Sequence, residues 1–195
     1  MKMCNSRSLK YLFLLIISDA KRYEGKWWKQ RGFLTSLAYR VRRARKYGNW
    51  QCRLFLLPVD VLTGLIGMLA SDAEIPSVTR IGPALYLPHP QGVIIGSGSY
   101  VGSNVSIFQQ VTLGAWNERE PVVKSHTSIF AGAKLIGGCV VKRHAFVAAN
   151  CVVVKDVPEW HVAVGVPAVN RLRSDCDAKL AQKDGAKLKV LVPSI

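Results

Sequence analysis

Large aliphatic residues recur every six positions between residues 75 and 153. This period matches neither the 3.6 residues of a helix turn nor the two-residue alternation of a strand. It fits a short strand plus a turn, repeated so that the aliphatic side chain always points inward. The positions form two runs separated by a polar break at residues 114–122: Ile75, Ile81, Leu87, Ile95, Val101, Ile107 and Leu113, then Val123, Ile129, Leu135, Val141, Val147 and Val153.

Three such strands close a triangular coil of about eighteen residues, and successive coils pair through backbone hydrogen bonds about 4.8 Å apart. Equivalent inward positions then stack as aliphatic columns inside a three-sided prism. Two residues are added between Leu87 and Ile95, and the polar break is expected to loop out without disturbing the register. The sequence therefore predicts a mostly β protein, with a parallel β-helix over residues 74–168.

The first 73 residues have a different pattern, which predicts a basic α-helical region, and residues 169–195 are assigned to a tail. In residues 31–48, Phe33, Leu37 and Val41 are at helical spacing, and Gly48 is a plausible helix stop. The apolar segment 54–70 is shorter than a comfortable membrane span. We predict a packed helix there, with a peripheral membrane contact left open.

Positive charge is concentrated on the amino-terminal side of the chain. The net charge is +15, and residues 1–53 contain fourteen Lys and Arg against only Asp19 and Glu24. Such a surface attracts a phosphorylated cofactor, an anionic membrane or nucleic acid, although a solvated helix surface would have the same composition. In this region Trp27 and Trp28 are the only two adjacent aromatic residues, so nucleic acid is not an expected partner.

The five cysteines form neither a CxxC pair nor a metal-ligand spacing. Cys139 and Cys151 occupy small-residue positions of the repeat, which predicts packed thiols in a cytoplasmic protein. The apolar run 11–17 lacks a small-residue cleavage site, so export is not expected.

Several segments together resemble the serine acetyltransferases, a family of hexapeptide-repeat acyltransferases. They are "KQRGFLTSLAYRVRRA", "EIPSVTRIGPALYLPHPQGVIIG", "VSIFQQVTLG", "AGAKLIGG", "VAANCVVVKDVP" and "VGVPA". The resemblance implies a left-handed β-helix, a homotrimeric core, and acetyl-CoA bound in a groove between neighbouring prisms. It also implies acetyl transfer to the hydroxyl of L-serine, in cysteine biosynthesis.

The resemblance places His89 at the family's general base and Glu74 at the aspartate that orients it. The fifteen positions that separate them make almost one coil, so Glu74 is expected on the neighbouring coil, close to the same corner. A carboxylate there would fix the imidazole tautomer and stabilise the imidazolium formed during proton transfer.

The resemblance also assigns contacts to acetyl-CoA. Small residues at Gly114, Ala131 and Ala149 would let the pantetheine arm approach the backbone, and Lys155 and Arg171 would meet the phosphates. Ala131 and Ala149 are eighteen positions apart, so they are expected to stack on one corner.

Two positions depart from the family near the expected acceptor site. Pro88 replaces an aspartate that precedes the catalytic histidine, and Glu120 replaces histidine in an Arg-His-Pro motif that Arg119 and Pro121 retain. We predict that Pro88, Arg119 and Glu120 border the substrate. The changes leave a second acceptor open, a saccharide hydroxyl in capsule or exopolysaccharide biosynthesis. The final residue, Ile195, matches the isoleucine that docks family members into a sulfhydrylase.

Two other functions compete with acetyl transfer. A metal hydratase on the same prism would need His126, His144 and His161 to converge on zinc, but they fall at outward or turn positions, so no metal site is predicted. A non-enzymatic scaffold or nucleic-acid binder would not explain the placement of His89 and Glu74.

Overall fold

The computed structural model describes residues 6–25 and 27–173. Its amino-terminal part is helical, and the helix predicted over residues 31–48 is confirmed as α2, which ends just before Gly48. The helices are α1 (Ser6–Ala20), a short 3-10 helix (Trp27–Lys29), α2 (Arg31–Tyr47), α3 (Trp50–Phe55) and α4 (Leu57–Ala70).

Short strands follow the helices and form three sheets, one on each side of a prism. The strands are β1 (Arg80–Ile81), β2 (Ile94–Ile95), β3 (Tyr100–Val101), β4 (Ser106–Ile107), β5 (Thr112–Gly114), β6 (Val122–Val123), β7 (Ser128–Ile129), β8 (Lys134–Ile136), β9 (Val140–Val141), β10 (Phe146–Val147), β11 (Val152–Val153), β12 (His161–Val164) and β13 (Val169–Leu172). The sheet orders are β1-β3-β6-β9, β13-β12-β10-β7-β4 and β11-β8-β5-β2. All pairs among these strands are parallel except β12–β13. The predicted left-handed parallel β-helix is therefore confirmed.

The register shows where the extra residues are accommodated. Ile94 pairs with Thr112, eighteen positions on, which is the length of one regular coil. Arg80 pairs with Tyr100, twenty positions on, and Thr112 pairs with Lys134, twenty-two positions on. The two residues beyond eighteen in the first of these coils are those added between Leu87 and Ile95. The four residues beyond eighteen in the second belong to the polar break. The strands remain in register on both sides of that break, so the predicted loop-out is confirmed.

The interior of the prism is an aliphatic core. Ile95, Leu113, Leu135 and Val153 stack on one side, and none is more than 1% exposed. Cys139 and Cys151 are buried free thiols within the same core, as predicted. Burial of such side chains is the main stabilising contribution to a fold of this kind.

The first two helices attach to the first coil through polar contacts. The Arg40 guanidinium forms a buried ion pair with Asp19, 3.0 Å from Nε to Oδ2, and donates to the carbonyl oxygens of Ile81 and Gly82. Asp19 in turn accepts from the Leu85 N–H at 2.9 Å. Burial raises the pKa of the Asp19 carboxyl, although Arg40 opposes that shift. The pair and its hydrogen bonds fix the helices on the coil.

The segment 54–70 is helical, as predicted, but α4 packs on α2 through only one of its sides. The side of α4 that faces α2 contains Asp60, Thr63, Gly64 and Gly67, whereas most of its large apolar side chains are exposed. Within the described residues, the structure contains no helix that is both long and apolar enough to cross a membrane.

Candidate active site

His89 lies in a lengthened turn of the first coil. Tyr86 and Ile94, on either side of this turn, are eight positions apart, whereas their partners on the next coil, Ser106 and Thr112, are six apart. The two extra residues fall in this turn, and the imidazole of His89 is exposed to solvent. The register therefore gives this histidine a protruding turn that the following coil lacks.

Helical residues hold the start of the turn at Leu87. The Tyr23 hydroxyl accepts from the Leu87 N–H at 3.0 Å and donates to the Leu87 carbonyl oxygen at 3.3 Å. Gly32 packs so closely that a Cβ there would overlap this same carbonyl oxygen. Burial raises the pKa of Tyr23 far above that of a free phenol, so the hydroxyl stays protonated and can make both bonds. The backbone two residues before His89 is thus fixed from outside the prism.

Two further contacts hold the end of the turn. Asp72 Oδ1 accepts from the N–H of Gly92 at 2.7 Å, and the Gln91 carbonyl oxygen accepts from the Gln110 N–H at 2.8 Å. Gly92 has a φ of 63°, a left-handed conformation that glycine adopts without strain. The sequence reasoning missed Tyr23, Gly32 and Asp72, because nothing local marks residues whose partners are 20 to 64 positions away.

Glu74 lies on the coil that precedes β2, where it bridges Ile94. Its backbone is paired with β2, donating to the Val93 carbonyl oxygen and accepting from the Ile95 N–H, and its side chain is exposed. In residues 6–25 and 27–173, no hydrogen bond joins the Glu74 carboxylate to the imidazole of His89. The orienting role of Glu74 stays a prediction.

Turns of successive coils stack into edges of the prism. The His89 edge, made of residues 88–92, 108–110, 130–132 and 148–150, is linked by backbone hydrogen bonds from Gly132 to Gln109 and from Asn150 to Ala131. It includes two of the residues predicted to contact acetyl-CoA, Ala131 and Ala149. The structure therefore brings these two small residues onto the same edge as His89.

The β2 face, formed by β2, β5, β8 and β11, lies between the His89 edge and the loop edge (residues 96–99, 115–121, 136–139 and 154–156). Gly114 ends β5 on this face, and exposed Lys155 follows β11 at the loop edge. Four of the five residues predicted to contact acetyl-CoA therefore border one face. Arg171 does not, because it lies on β13 and pairs with Val162 of a different sheet.

The loop edge contains Arg119 and Glu120, two of the three residues predicted to border the substrate. Trp116 and Arg119 pair across a two-residue hairpin turn, and Arg119 is exposed and packs on Gly138. Glu120 is occupied otherwise: its carboxylate accepts from the Gly98 N–H at 2.8 Å and the Ser99 hydroxyl at 2.9 Å. Both oxygens of Glu120 thus fasten the preceding coil.

Pro88 is half-buried beside His89. It has no carboxylate with which to bind a substrate amino group. The substrate roles of Pro88, Arg119 and Glu120 remain predictions.

The histidines considered for zinc do not converge. The rings of His126 and His144 stack at 5.0 Å, and His144 stacks on Trp160 at 4.1 Å. His161 lies on β12 and bonds the Glu159 carbonyl oxygen through Nδ1. Burial lowers the pKa of both His126 and His144, which favours neutral rings in the stack. Among the described residues, no group of three His, Cys, Asp or Glu side chains is arranged to hold a metal.

The buried cysteines are poor nucleophiles. Burial raises the pKa of Cys139 to about 11 and raises that of Cys151, so both thiols are protonated near neutral pH.

A cleft of about 300 Å³ lies between α2 and α4, lined in part by Thr35, Gly67 and Asp72, and it does not include His89.

In a sequence comparison, the most similar curated relatives are named serine acetyltransferase. The protein from Haemophilus influenzae is 38% identical over 104 residues, 51% of this chain and 39% of the relative. The protein from Buchnera aphidicola is 31% identical over 143 residues, 71% of this chain and 52% of the relative. The chain thus spans about half the length, or less, of these curated relatives. No protein-family model matches the sequence.

Solved structures give the same likeness over more of the chain. A serine acetyltransferase from Vibrio cholerae superposes with a TM-score of 0.67 at 25% identity, covering 89% of this chain and 69% of that one. A serine acetyltransferase in complex with CoA gives 0.65 at 28% identity, covering 86% and 71%. The soybean enzyme complexed with serine gives 0.65 at 28% identity, covering 82% and 69%. By sequence and by fold, the chain is a hexapeptide-repeat protein that is similar to the serine acetyltransferases.

Proposed function

We propose that the chain is an acetyl-CoA-dependent O-acetyltransferase that acts on the hydroxyl of L-serine, with His89 as general base. The observation that supports this most directly is the shared position of His89, Ala131 and Ala149 on one edge of the prism. The similar serine acetyltransferases with bound CoA and with bound serine support the choice of donor and acceptor.

The proposed reaction is a direct transfer. Neutral His89 takes the proton from the serine hydroxyl as its oxygen attacks the thioester carbonyl carbon. The tetrahedral intermediate then collapses, the carbon–sulfur bond breaks, and the imidazolium returns the proton to the leaving CoA thiolate. No covalent acyl-enzyme is needed, which agrees with the protonated state of the buried cysteines.

The turn contacts support this mechanism, because a general base must be held in place before reaction. Tyr23 and Gly32 fix the backbone before His89, while Asp72 fixes it afterwards. Glu74 would orient the imidazole once substrates are bound, since catalytic hydrogen bonds are often long in an unliganded site.

The β2 face is the proposed acetyl-CoA surface. Gly114, Ala131, Ala149 and Lys155 border it, and a neighbouring prism in a homotrimer would close the groove. Arg171 would reach the cofactor only from the sheet that contains β13.

We retain residues 74–168 as the acetyltransferase domain. Docking to a sulfhydrylase through Ile195 also remains a proposal, and Ile195 lies outside the described residues.

Arg119 and Glu120 are proposed to have different roles in binding the acceptor serine. Arg119 is exposed on the loop edge and would pair with the serine carboxylate as a charge-assisted bond. Glu120 would act indirectly, by holding the turn at Gly98 and Ser99.

The test is release of free CoA from acetyl-CoA by the full chain, with L-serine and separately with a panel of saccharides. We expect serine-dependent release, and we expect His89→Ala to lower kcat by about 10²–10⁴-fold with little change in acetyl-CoA binding. His161→Ala is a matched control, because that ring is bonded locally to Glu159.

Full turnover in His89→Ala would disprove the general-base role. If CoA is released only with saccharides, the acceptor is a saccharide and not serine. If no CoA is released with either kind of acceptor, the proposed activity is overturned.

A further inference from the structure

Helix α4 is built with its apolar side outward. Leu57, Val61, Leu65, Met68 and Leu69 are 43–87% exposed, whereas Asp60 and Thr63 on the other side are buried. At about 100° per residue, the exposed set covers an arc of about 120°, wide enough to be one continuous face. A helix of an isolated globular protein shows the reverse arrangement. Within residues 6–25 and 27–173, nothing covers this face of α4.

Helix α3 continues the apolar surface. Trp50, Leu54 and Phe55 are 72%, 64% and 68% exposed, and they directly precede α4 in the chain. Patches of this size on a soluble chain mark contact surfaces for proteins or membranes. We call the exposed apolar side chains of α3 and α4 the docking face.

Positive charge accompanies the docking face. Asp60 is the one acidic residue of the two helices, and its carboxylate is buried and paired with Arg45 at 2.5 Å and Arg42 at 3.6 Å. Arg53 and Lys46 are exposed nearby in the chain. These residues belong to a strongly basic part of the sequence, since residues 1–53 contain fourteen Lys and Arg against two acids.

This charge distinguishes between the two simplest occupants. A second copy on the same face would bring two strongly basic helical regions together, which Coulomb repulsion opposes. A bilayer containing anionic lipid offers an apolar interior and negative headgroups at once. The charge therefore favours the membrane surface.

The dimensions indicate how such contact would occur. The fourteen residues of α4 make a helix about 21 Å long, which is too short for a hydrocarbon core about 30 Å thick. A helix with one wide apolar face lies in the plane of the interface instead. Trp50 suits the headgroup level, where tryptophan is enriched.

We propose that α3 and α4 form a membrane-docking face, which lies in the plane of an anionic lipid bilayer and holds the protein at that surface. This role is independent of the acetyl transfer proposed above. It uses residues that the β2 face and the His89 edge do not contain.

The test is co-flotation of the full chain with unilamellar vesicles of phosphatidylcholine containing about 30% phosphatidylglycerol. We expect binding that weakens at least tenfold in Leu65→Glu, since the change removes an exposed leucine that would enter the bilayer and adds a charge of the same sign as the anionic headgroups. Arg53→Gln should weaken binding about fivefold, and raising the salt to about 0.5 M should weaken it further.

Leu172→Glu is the matched control, because Leu172 is 69% exposed at the opposite end of the chain's fold, on β13. It should bind vesicles as the unmodified chain does. Circular dichroism and thermal unfolding of both variants show whether each remains folded.

Three results would overturn the proposal. One is absence of vesicle binding by the unmodified chain, and another is equal binding by Leu65→Glu and Leu172→Glu. The third is a lower molar mass of Leu65→Glu in lipid-free sedimentation, which would assign the face to a second copy. Acetyl transfer in solution is measured separately, so failure here leaves the proposed activity untouched.

Discussion

The prism and the helical region differ in how many charged groups they bury. Inside the prism the columns are aliphatic, as at Ile95 and Leu113, and the backbone groups pair between coils. Inside the helical region apolar residues such as Phe33 are buried together with the ion pair of Asp19 and Arg40 and with Asp60, while the leucines of α4 are exposed. The prism is therefore stabilised by local, repeated contacts, and the helices are attached by a few long-range polar ones.

The largest expected loss of stability comes from removing a buried ion pair, and an exposed ion pair serves for comparison. Arg40→Met should lower the free energy of unfolding by about 3–5 kcal/mol, because it leaves Asp19 buried without its partner. Urea denaturation followed by circular dichroism measures this loss.

Arg42→Met is the matched control in the same helix. The Arg42 side chain is 48% exposed and 3.6 Å from Asp60, so its loss should cost at most about 1 kcal/mol. Equal losses in the two variants would contradict the importance given to the buried pair.

One substitution made in both regions tests the contrast directly. Leu113→Ala should cost about 2–5 kcal/mol, since it opens a cavity in a column that is fully buried. Leu65→Ala, on the exposed side of α4, should change the stability of the lipid-free protein by no more than about 0.5 kcal/mol. A comparable loss at Leu65 in the same denaturation experiment would show that another part of the protein covers α4.

Among the three changes at buried contacts, the smallest loss of stability is expected where a tyrosine of the helical region bonds the His89 turn. Tyr23→Phe should cost about 1–3 kcal/mol, because it leaves the Leu87 N–H and carbonyl oxygen without the hydroxyl. If the turn positions His89, kcat should also fall about tenfold while the KM for acetyl-CoA stays constant.

Tyr47→Phe controls for the loss of a hydroxyl, because Tyr47 is 51% exposed. A change in kcat for Tyr47→Phe, or none for Tyr23→Phe, would remove Tyr23 from the positioning of the turn.

The same contrast explains how much could be predicted from the sequence. The period of six specified the prism, its columns and the place of both insertions, because each coil repeats one local rule. The stacking of Ala131 and Ala149 on one edge followed from the same arithmetic, whereas the place of His89 on that edge was not predicted. The helices could be placed, but the side of α4 that faces inward could not, since it depends on the pairing of Asp60 with Arg42 and Arg45 of α2.

The missed parts of the candidate site have the same cause. Tyr23 and Asp72 act on the turn across long sequence separations, and no spacing rule indicates them. Glu120 was predicted from its place in a motif, yet its bonds to Gly98 and Ser99 depend on the fold of the preceding coil.

The lengthened turn at His89 and the hairpin at Trp116–Arg119 add residues without moving any inward side chain. Turn length and core packing are thus separate variables in this architecture. Evolution can remodel what the turns present to an acceptor, one insertion at a time, while the hydrophobic columns go on folding as before.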